Sequence, residues 1–413
     1  MTLSPLIGYI CISILNISYT YLMISIIAFT AILQFIDPIK FGKYRFPKYF
    51  IYFSIFVIYT IYSDLFIAGH SLTIKYLYKN EFLGCVLALF IVENYSYSKT
   101  RLLKNINFWL VLTIFIALIV ILIQEVSDEM FFVFEEHMDN DIDRYNYIET
   151  RLPSIFSWTG ILDIGFVFVP ILSLVLDNLF YKKRNTMPIY YIIGAIVVFL
   201  SRNRWIMVNY LVLFFMYLSY YSANIKNVVK YLIGIAIVLY LSIIILDLTN
   251  VPVKQIIDDR ILEKSKGGLG EGSAGSRIFA FQVFAKLFPK HMILGKGMLH
   301  SFGGESKDFD LTSALEGRSS QIHVGYLSLF YYYGLIGGAI YLIFIYLLFK
   351  KLLKDARVTM HWGPFYGFLG FILANFTLVS LPFFNAGLIL CLFFNKIFLN
   401  YDEKVLQSQP VET

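Results

Sequence analysis

The chain has 413 residues, 58% of them hydrophobic and only 15% charged, against about 25% charged in ordinary soluble domains. With a mean hydropathy of +0.69, this excludes a soluble globular protein. The formal net charge of +6 falls in short basic clusters between apolar runs, the pattern of membrane-topology signals and not of a nucleic-acid surface. Apolar runs of roughly 17–25 residues recur, too long for the alternating ten-residue strands of an outer-membrane barrel. The fold class expected is an all-α polytopic integral membrane protein.

Taken in order, residues 3–36 form an apolar block of about 34 residues, read as two spans near 3–15 and 19–36. Nothing basic precedes the block and no small-residue cleavage site follows it, so it reads as a retained span and not a removable signal. A basic loop with Lys40, Lys43, Arg45 and Lys48 leads to spans near 49–68 and 72–92. After Lys99, Arg101 and Lys104 comes a span near 108–124, then a loop at 125–150 with about nine carboxylates. Its sign is opposite to that of the loop before it.

Further spans are expected near 155–180, 188–200, 205–221 and 228–246, with basic clusters at Lys182, Lys183, Arg184 and at Lys226 and Lys230. A large loop occupies 247–320, and the last spans lie near 322–349, 363–379 and 382–399. Placing every basic cluster in the cytoplasm gives one self-consistent topology of about twelve transmembrane helices, with both termini inside and the acidic and large loops outside. The organisation expected is therefore helices one to nine over 1–246, a large outer loop over 247–320, helices ten to twelve over 321–400 and a short cytoplasmic tail over 401–413. No internal repeat is visible. Cys11, Cys85 and Cys391 sit inside apolar runs, and no disulfide or metal framework is indicated.

The polar residues that could do chemistry are few. Residues 188–221 number about 34, too few for two full spans of about 20 residues and a turn, yet Ser201-Arg202-Asn203-Arg204 lies in the middle. The arginines should thus sit below the outer membrane surface, where a guanidinium is costly without an anionic partner. One reading has them snorkel to headgroups. The other makes them a site for a lipid-linked phosphate or diphosphate, whose oxygen pairs fit the guanidinium fork.

In the large loop, Gly267, Gly268, Gly270, Gly272 and Gly275 form a connector without the Lys-Ser/Thr ending of a phosphate-binding loop. Ser276 is a plausible N-cap for an amphipathic helix whose face would carry Ala280, Phe281, Phe284 and Phe288 and which Pro289 would end. Arg277 would occupy its first turn, where the helix N-terminus favours an anion nearby; a solvated loop arginine is the alternative. Of the six histidines, His361 falls on the cytoplasmic side and His70, His137, His291 and His300 in outer loops. His323 alone opens an outer span, next to Arg318. No cluster has metal-ligand spacing, and Asp258-Asp259 reads as a solvated pair.

His323-Val324, nine residues, then Gly334-Leu335-Ile336-Gly337 resembles the signature of the O-antigen ligase and polymerase superfamily: a histidine, a small polar residue, a nine-residue gap and G-x-x-G. Val324 stands where the polar residue is expected. SRNRWI resembles the family's Ser-Arg motif at the outer end of a span, with Ile206 in place of a leucine, and Arg277 before a P-x(5)-G-x-G turn (Pro289, Gly295, Gly297) is similar to its loop arginine. The resemblance covers mainly residues 188–349. It implies a GT-C-like glycosyltransferase in the bacterial inner membrane, using an undecaprenyl-diphosphate-linked oligosaccharide as donor. His323, Arg277 and Arg202 would be catalytic, Arg202, Arg204, Arg277 and Arg318 would bind the diphosphate, and neither metal nor other cofactor would be needed. Membrane lipids and a chain-length regulator protein would be partners, and nucleic acid would not. Within the superfamily the polymerase is favoured, with the ligase as the nearest alternative and a lipid-linked oligosaccharide flippase as the alternative of another class. Against the flippase stand the absent repeat, the one-sided loop and polar groups gathered at the outer face instead of the midplane.

Overall fold

The computed structural model describes residues 44, 46–69, 71–72, 81–94, 99–127, 154–155, 164–201, 204–221, 273–298, 322, 324–376 and 386–408, with isolated positions at 29–30, 32, 233, 237, 240 and 244. Among these the structure is helical. α1 (Lys48–Tyr62) continues into a π-helical turn (Ser63–Ile67), followed by α2 (Glu81–Asn94), α3 (Lys99–Ser127), α4 (Ile164–Tyr181), α5 (Met187–Leu200) and α6 (Arg204–Tyr221). Then come α7 (Ser273–Leu287) with a 3₁₀ turn (Phe288–His291), α8 (Gly325–Thr359), α9 (Gly363–Ala374) and α10 (Ala386–Ser408). By length and composition three helices can cross a membrane unaided, Lys48–Ile67, Ile106–Ser127 and Gly325–Thr359; six shorter apolar helices accompany them among the described residues. The chain is an all-α membrane protein. The expected spans at 3–15, 19–36 and 228–246 lie almost wholly outside the described residues.

Several boundaries differ from the sequence reading. α8 has 35 residues, about 52 Å at 1.5 Å per residue, so Lys350, Lys351, Lys354 and Arg357 lie on a continuing helix and not in a loop. Good helix formers with an i,i+4 ion pair, Lys351 Nζ to Asp355 Oδ2 at 2.8 Å, carry the helix past the apolar stretch. α10 likewise runs through 401–408, residues expected to form a tail.

Two apolar clusters build the interior. The first joins α1, α2, α7, α8 and α9 through Phe53, Phe56, Leu89, Val283, Tyr341, Phe344 and Phe368. The second surrounds α4, where Val167, Phe168, Ile171, Leu172, Leu174, Val175 and Leu176 are all buried against α3, α5 and α6. α10 connects them: Leu388, Ile389 and Leu392 face the first cluster, while Leu390, Phe394 and Phe398, spaced four apart on another face, belong to the second. α9 reaches α4 closely because Gly363 and Gly367, one turn apart, present no side chain there. A Cβ on Gly363 would stand 2.8 Å from Asp177 Cβ, and one on Gly367 would overlap Cys391 Sγ. Small residues at i and i+4 are the usual means of close helix approach in a membrane.

One end of the bundle is stitched by polar side chains. Asp177, at the end of α4, is fully buried and holds two groups of the α8–α9 link, His361 Nδ1 at 3.0 Å and the Trp362 N–H at 3.1 Å. The His361 ring stacks flat on Phe398 of α10, with centroids 3.7 Å apart and planes 5° from parallel. Nearby, Glu93 of α2 accepts from Tyr49 Oη of α1 and, at 3.1 Å, from Lys396 Nζ of α10. Asn395 Nδ2 donates to Asp355 at 2.8 Å. This end also carries the basic clusters at 182–184 and 350–357.

Removing the Asp177 carboxylate orphans two buried donors, each costing about 1–3 kcal/mol. Asp177→Ala should therefore melt at a clearly lower temperature in detergent than the wild type, and Asp177→Asn, which still offers an oxygen, should fall between them. An Asp177→Ala protein melting with the wild type would show that this pairing does not hold α4, α9 and α10 together.

Candidate active site

The motif-bearing segments can be located from helix direction alone. α4 ends at the Asp177 end of the bundle, residues 182–186 turn, and α5 runs away from it, so Ser201 and the start of α6 lie at the opposite end. α9 also starts beside Asp177 at Gly363 and finishes where the Asn375 carbonyl accepts the Tyr326 N–H at 3.3 Å, near the start of α8. The first turn of α6 and the first turn of α8 are thus at the same end.

α5 has 14 residues, about 21 Å of helix against a hydrocarbon thickness of about 30 Å. With Met187 at one interface, Ser201 at the other end of α5 falls short of the opposite membrane surface. Its frame is tightly built. Tyr191 stacks on Tyr210 and Tyr217 at 4.8 and 5.1 Å between centroids, Tyr210 Oη donates to the Tyr191 carbonyl, and Gly194 lets Leu172 and Tyr210 close in. Ser201 is buried and its Oγ donates to the Val198 carbonyl at 2.7 Å. Arg204 is the first residue of α6. Arg202 lies outside the described residues.

Arg277 is in α7, which starts at Ser273 and not after Ser276, so the arginine is in the second turn and the expected cap is inside the helix. The buried stripe is Ala280, Val283 and Leu287, at helical spacing, whereas Phe281 is exposed and Phe284 stacks on Phe288 at 4.7 Å. The smaller side chains face the core because they admit α7 close to its neighbours; Phe281, about 100° further round the helix, points away. His323 and Arg318 lie outside the described residues. The neighbours of His323 do not: Ile322 and Val324 are both buried, and Val324 is in extended conformation immediately before α8.

What joins these arms is a backbone exchange the sequence motifs did not announce. Gly334 adopts φ 62°, ψ −168° inside α8. In an unbroken helix the Leu335 and Ile336 N–H groups would donate to the Tyr331 and Tyr332 carbonyls four residues back. Here those carbonyls accept from the Lys296 N–H (3.1 Å) and Gly297 N–H (2.8 Å), while Leu335 and Ile336 donate to the carbonyls of Met292 (2.8 Å) and Ile293 (3.3 Å). The G-x-G of the loop is thus docked into the G-x-x-G of the span. A Cβ on Gly334 would stand 2.5 Å from the Gly295 nitrogen, and one on Gly295 would overlap the Tyr332 carbonyl oxygen. Both glycines, with positive φ, are required by conformation and by space. Gly337, tight against Tyr59 of α1, completes the approach. His291, set aside as a loop histidine, contributes its carbonyl to the Gly295 N–H at 2.8 Å.

Gly334→Ala and Gly295→Ala combine backbone strain of about 1–3 kcal/mol with direct overlap. Each should undock the segment and speed tryptic cleavage after Lys296, measured by mass spectrometry during limited proteolysis. Gly84→Ala, where a Cβ meets nothing within 4 Å, should leave the digest unchanged. Equal cleavage in all three would contradict the docking.

A family model described as O-antigen ligase matches residues 189–342. No curated protein matches the chain. The matched stretch begins in α5 and ends in α8, and so contains the SRNR motif, α7, the docked segment and the Gly334 break. The match over residues 189–342 is consistent with a member of the O-antigen ligase and polymerase superfamily.

Proposed function

We propose that the protein polymerises undecaprenyl-diphosphate-linked oligosaccharide repeat units into O-antigen, capsule or exopolysaccharide at the outer face of the bacterial inner membrane. The observation that carries this reading is the docking of residues 292–297 into the Gly334 break. It brings the helix of Arg277 and the start of the span that follows His323 to one end of the bundle, the end at which α6 also starts. The described basic clusters at 182–184 and 350–357 occupy the other end, which supports placing that end, and both termini, in the cytoplasm.

The chemistry follows from charge. An acceptor hydroxyl attacks the anomeric carbon of the donor; a new carbon–oxygen bond forms as the bond from that carbon to the diphosphate oxygen breaks, and the lipid diphosphate leaves with the electron pair. Negative charge grows on the leaving group, so Arg202, Arg277 and Arg204, with Arg318 also binding the diphosphate, stabilise the transition state more than the ground state. His323 takes the hydroxyl proton as general base, a role suited to an imidazole. The energy resides in the diphosphate linkage, so neither nucleotide nor metal is required. Buried, apolar Val324 stands where the ligase signature places a small polar residue, which favours the polymerase over transfer to lipid A-core.

Purified protein in detergent, supplied only with lipid-linked repeat units, should yield longer saccharides, with His323→Ala slower by about 10²- to 10⁴-fold. Arg202→Lys and Arg277→Lys keep the charge and lose the fork, so both should stay severely impaired. Chain growth that needs a lipid A-core acceptor would favour the ligase. Transport of the lipid-linked unit across vesicles without elongation, or near-normal polymer from His323→Ala, would overturn the site.

A further inference from the structure

α1 lies outside the stretch that matches the family, yet its end touches the docked segment. Asp64 is the one charged residue of the apolar run 49–68, and it is fully buried. A carboxylate in such a run is costly and calls for a partner of matching strength. Asp64 Oδ1 accepts the Met298 N–H at 2.8 Å, a bond to the residue that follows the docked pair of glycines.

The local backbone is shaped around this contact. Ser63–Ile67 is a π-helical turn in which the Ala68 N–H reaches back five residues to the Ser63 carbonyl at 3.0 Å. Gly297 lies directly on that turn, where a Cβ would stand 2.7 Å from the Ser63 carbonyl oxygen and 2.8 Å from Ala68 Cβ. One turn earlier Tyr59 Oη donates to the Leu294 carbonyl at 2.9 Å, and Tyr333 of α8 approaches Met298 Sδ at 3.8 Å. Residues 294–298 are therefore gripped from two sides, by the broken backbone of α8 and by Asp64 and Tyr59 of α1. π-turns are rare and occur disproportionately at functional sites; here the extra residue in the turn accompanies a carboxylate turned inward and a flat seat for Gly297.

We propose that Asp64 is a positioning residue for the transfer reaction: through Met298 it fixes the segment that couples the Arg277 helix to the span following His323, and so sets how those two arms of the site meet. The inference rests on the polymerase reading above for its catalytic consequence, and on the contacts alone for its structural one. A displacement of about 1 Å in a catalytic arrangement costs on the order of 100-fold in rate, so an unanchored segment has a large effect without any group touching substrate being lost.

The test compares Asp64→Ala and Asp64→Asn, reading chain elongation of lipid-linked repeat units and amide hydrogen exchange of residues 294–298 in the purified protein. Asp64→Ala should lower kcat/KM by about 10- to 100-fold and speed exchange at Met298. Asp64→Asn, which keeps an acceptor oxygen, should retain slow exchange and recover most of the activity. If Asp64→Ala is not recovered folded, Asp64→Ser, too short to reach Met298, takes its place. Wild-type exchange in the truncated variant overturns the inference, as does an Asn variant as inactive as Ala with its exchange unchanged, since charge and not position would then matter. A wild-type protein that elongates nothing defeats the polymerase reading instead, and the exchange comparison still decides whether Asp64 holds the segment.

Discussion

A membrane-buried backbone cannot leave its N–H and C=O groups unpaired, and the break at Gly334 satisfies that requirement from outside the helix. The positive φ of Gly334 forfeits the bonds from Leu335 to Tyr331 and from Ile336 to Tyr332. Residues 292–297 supply two carbonyls and two N–H groups in their place. The first part of α8 and the segment after α7 are therefore interdependent: neither has a satisfied backbone without the other. A loop of more than 70 residues on paper becomes, at this point, part of the transmembrane framework, and whatever α7 carries is held against whatever precedes α8.

The two ends of the bundle are built differently, in keeping with different tasks. Where the basic clusters lie, side chains make the connections: Asp177 to the α8–α9 link, Glu93 to α1 and α10, Asp355 to α10. Such pairs fix helices in one arrangement and offer no open surface for chemistry. At the other end the docked segment is joined backbone to backbone, through Gly295, Gly297 and Gly334, with Asp64 and Tyr59 adding a grip from α1 and with side-chain bonds from Gln124 to Ser154 and from Tyr326 to Ile372 beside it. Backbone docking leaves side chains at that end available for a ligand. The proposed arginine site for a lipid diphosphate fits this division, since in that proposal the donor carries the energy for transfer and the protein contributes charge and placement.

Much of this was legible in the sequence because hydropathy and spacing carry it. The shortness of the run around SRNR marks α5 as a helix of 14 residues, and the histidine-to-glycine spacing marks the start of α8. The glycine motifs were readable singly, yet nothing in a linear pattern says that one enters the other, since the partners lie about 40 residues apart and the bonds are between backbones. The face of α7 was misjudged at Phe281 because an aromatic ring reads as core material, whereas the exposed side of a helix near lipid is apolar too. The length of α8 was underestimated because lysines read as a loop, though they belong equally to the last turns of a helix leaving a membrane. Asp64 was passed over inside an apolar run, although a lone carboxylate there is itself a signal. The Asp177–His361 pairing spans 184 positions and has no local signature. Arg202, Arg318 and His323 lie outside the described residues, so their part in the site rests on motif and chemistry.

The central claim is that one end of the bundle, organised by the Gly334 docking, holds the donor diphosphate. The most direct test is an experimental structure of the protein in lipid with an undecaprenyl diphosphate analogue bound. The account predicts the diphosphate between the SRNR turn, α7 and the first turn of α8, within hydrogen-bond distance of Arg277 and Arg202, with residues 292–297 still paired to Tyr331, Tyr332, Leu335 and Ile336. A diphosphate bound at the Asp177–His361 end, or a bound state in which that pairing is absent, would contradict it.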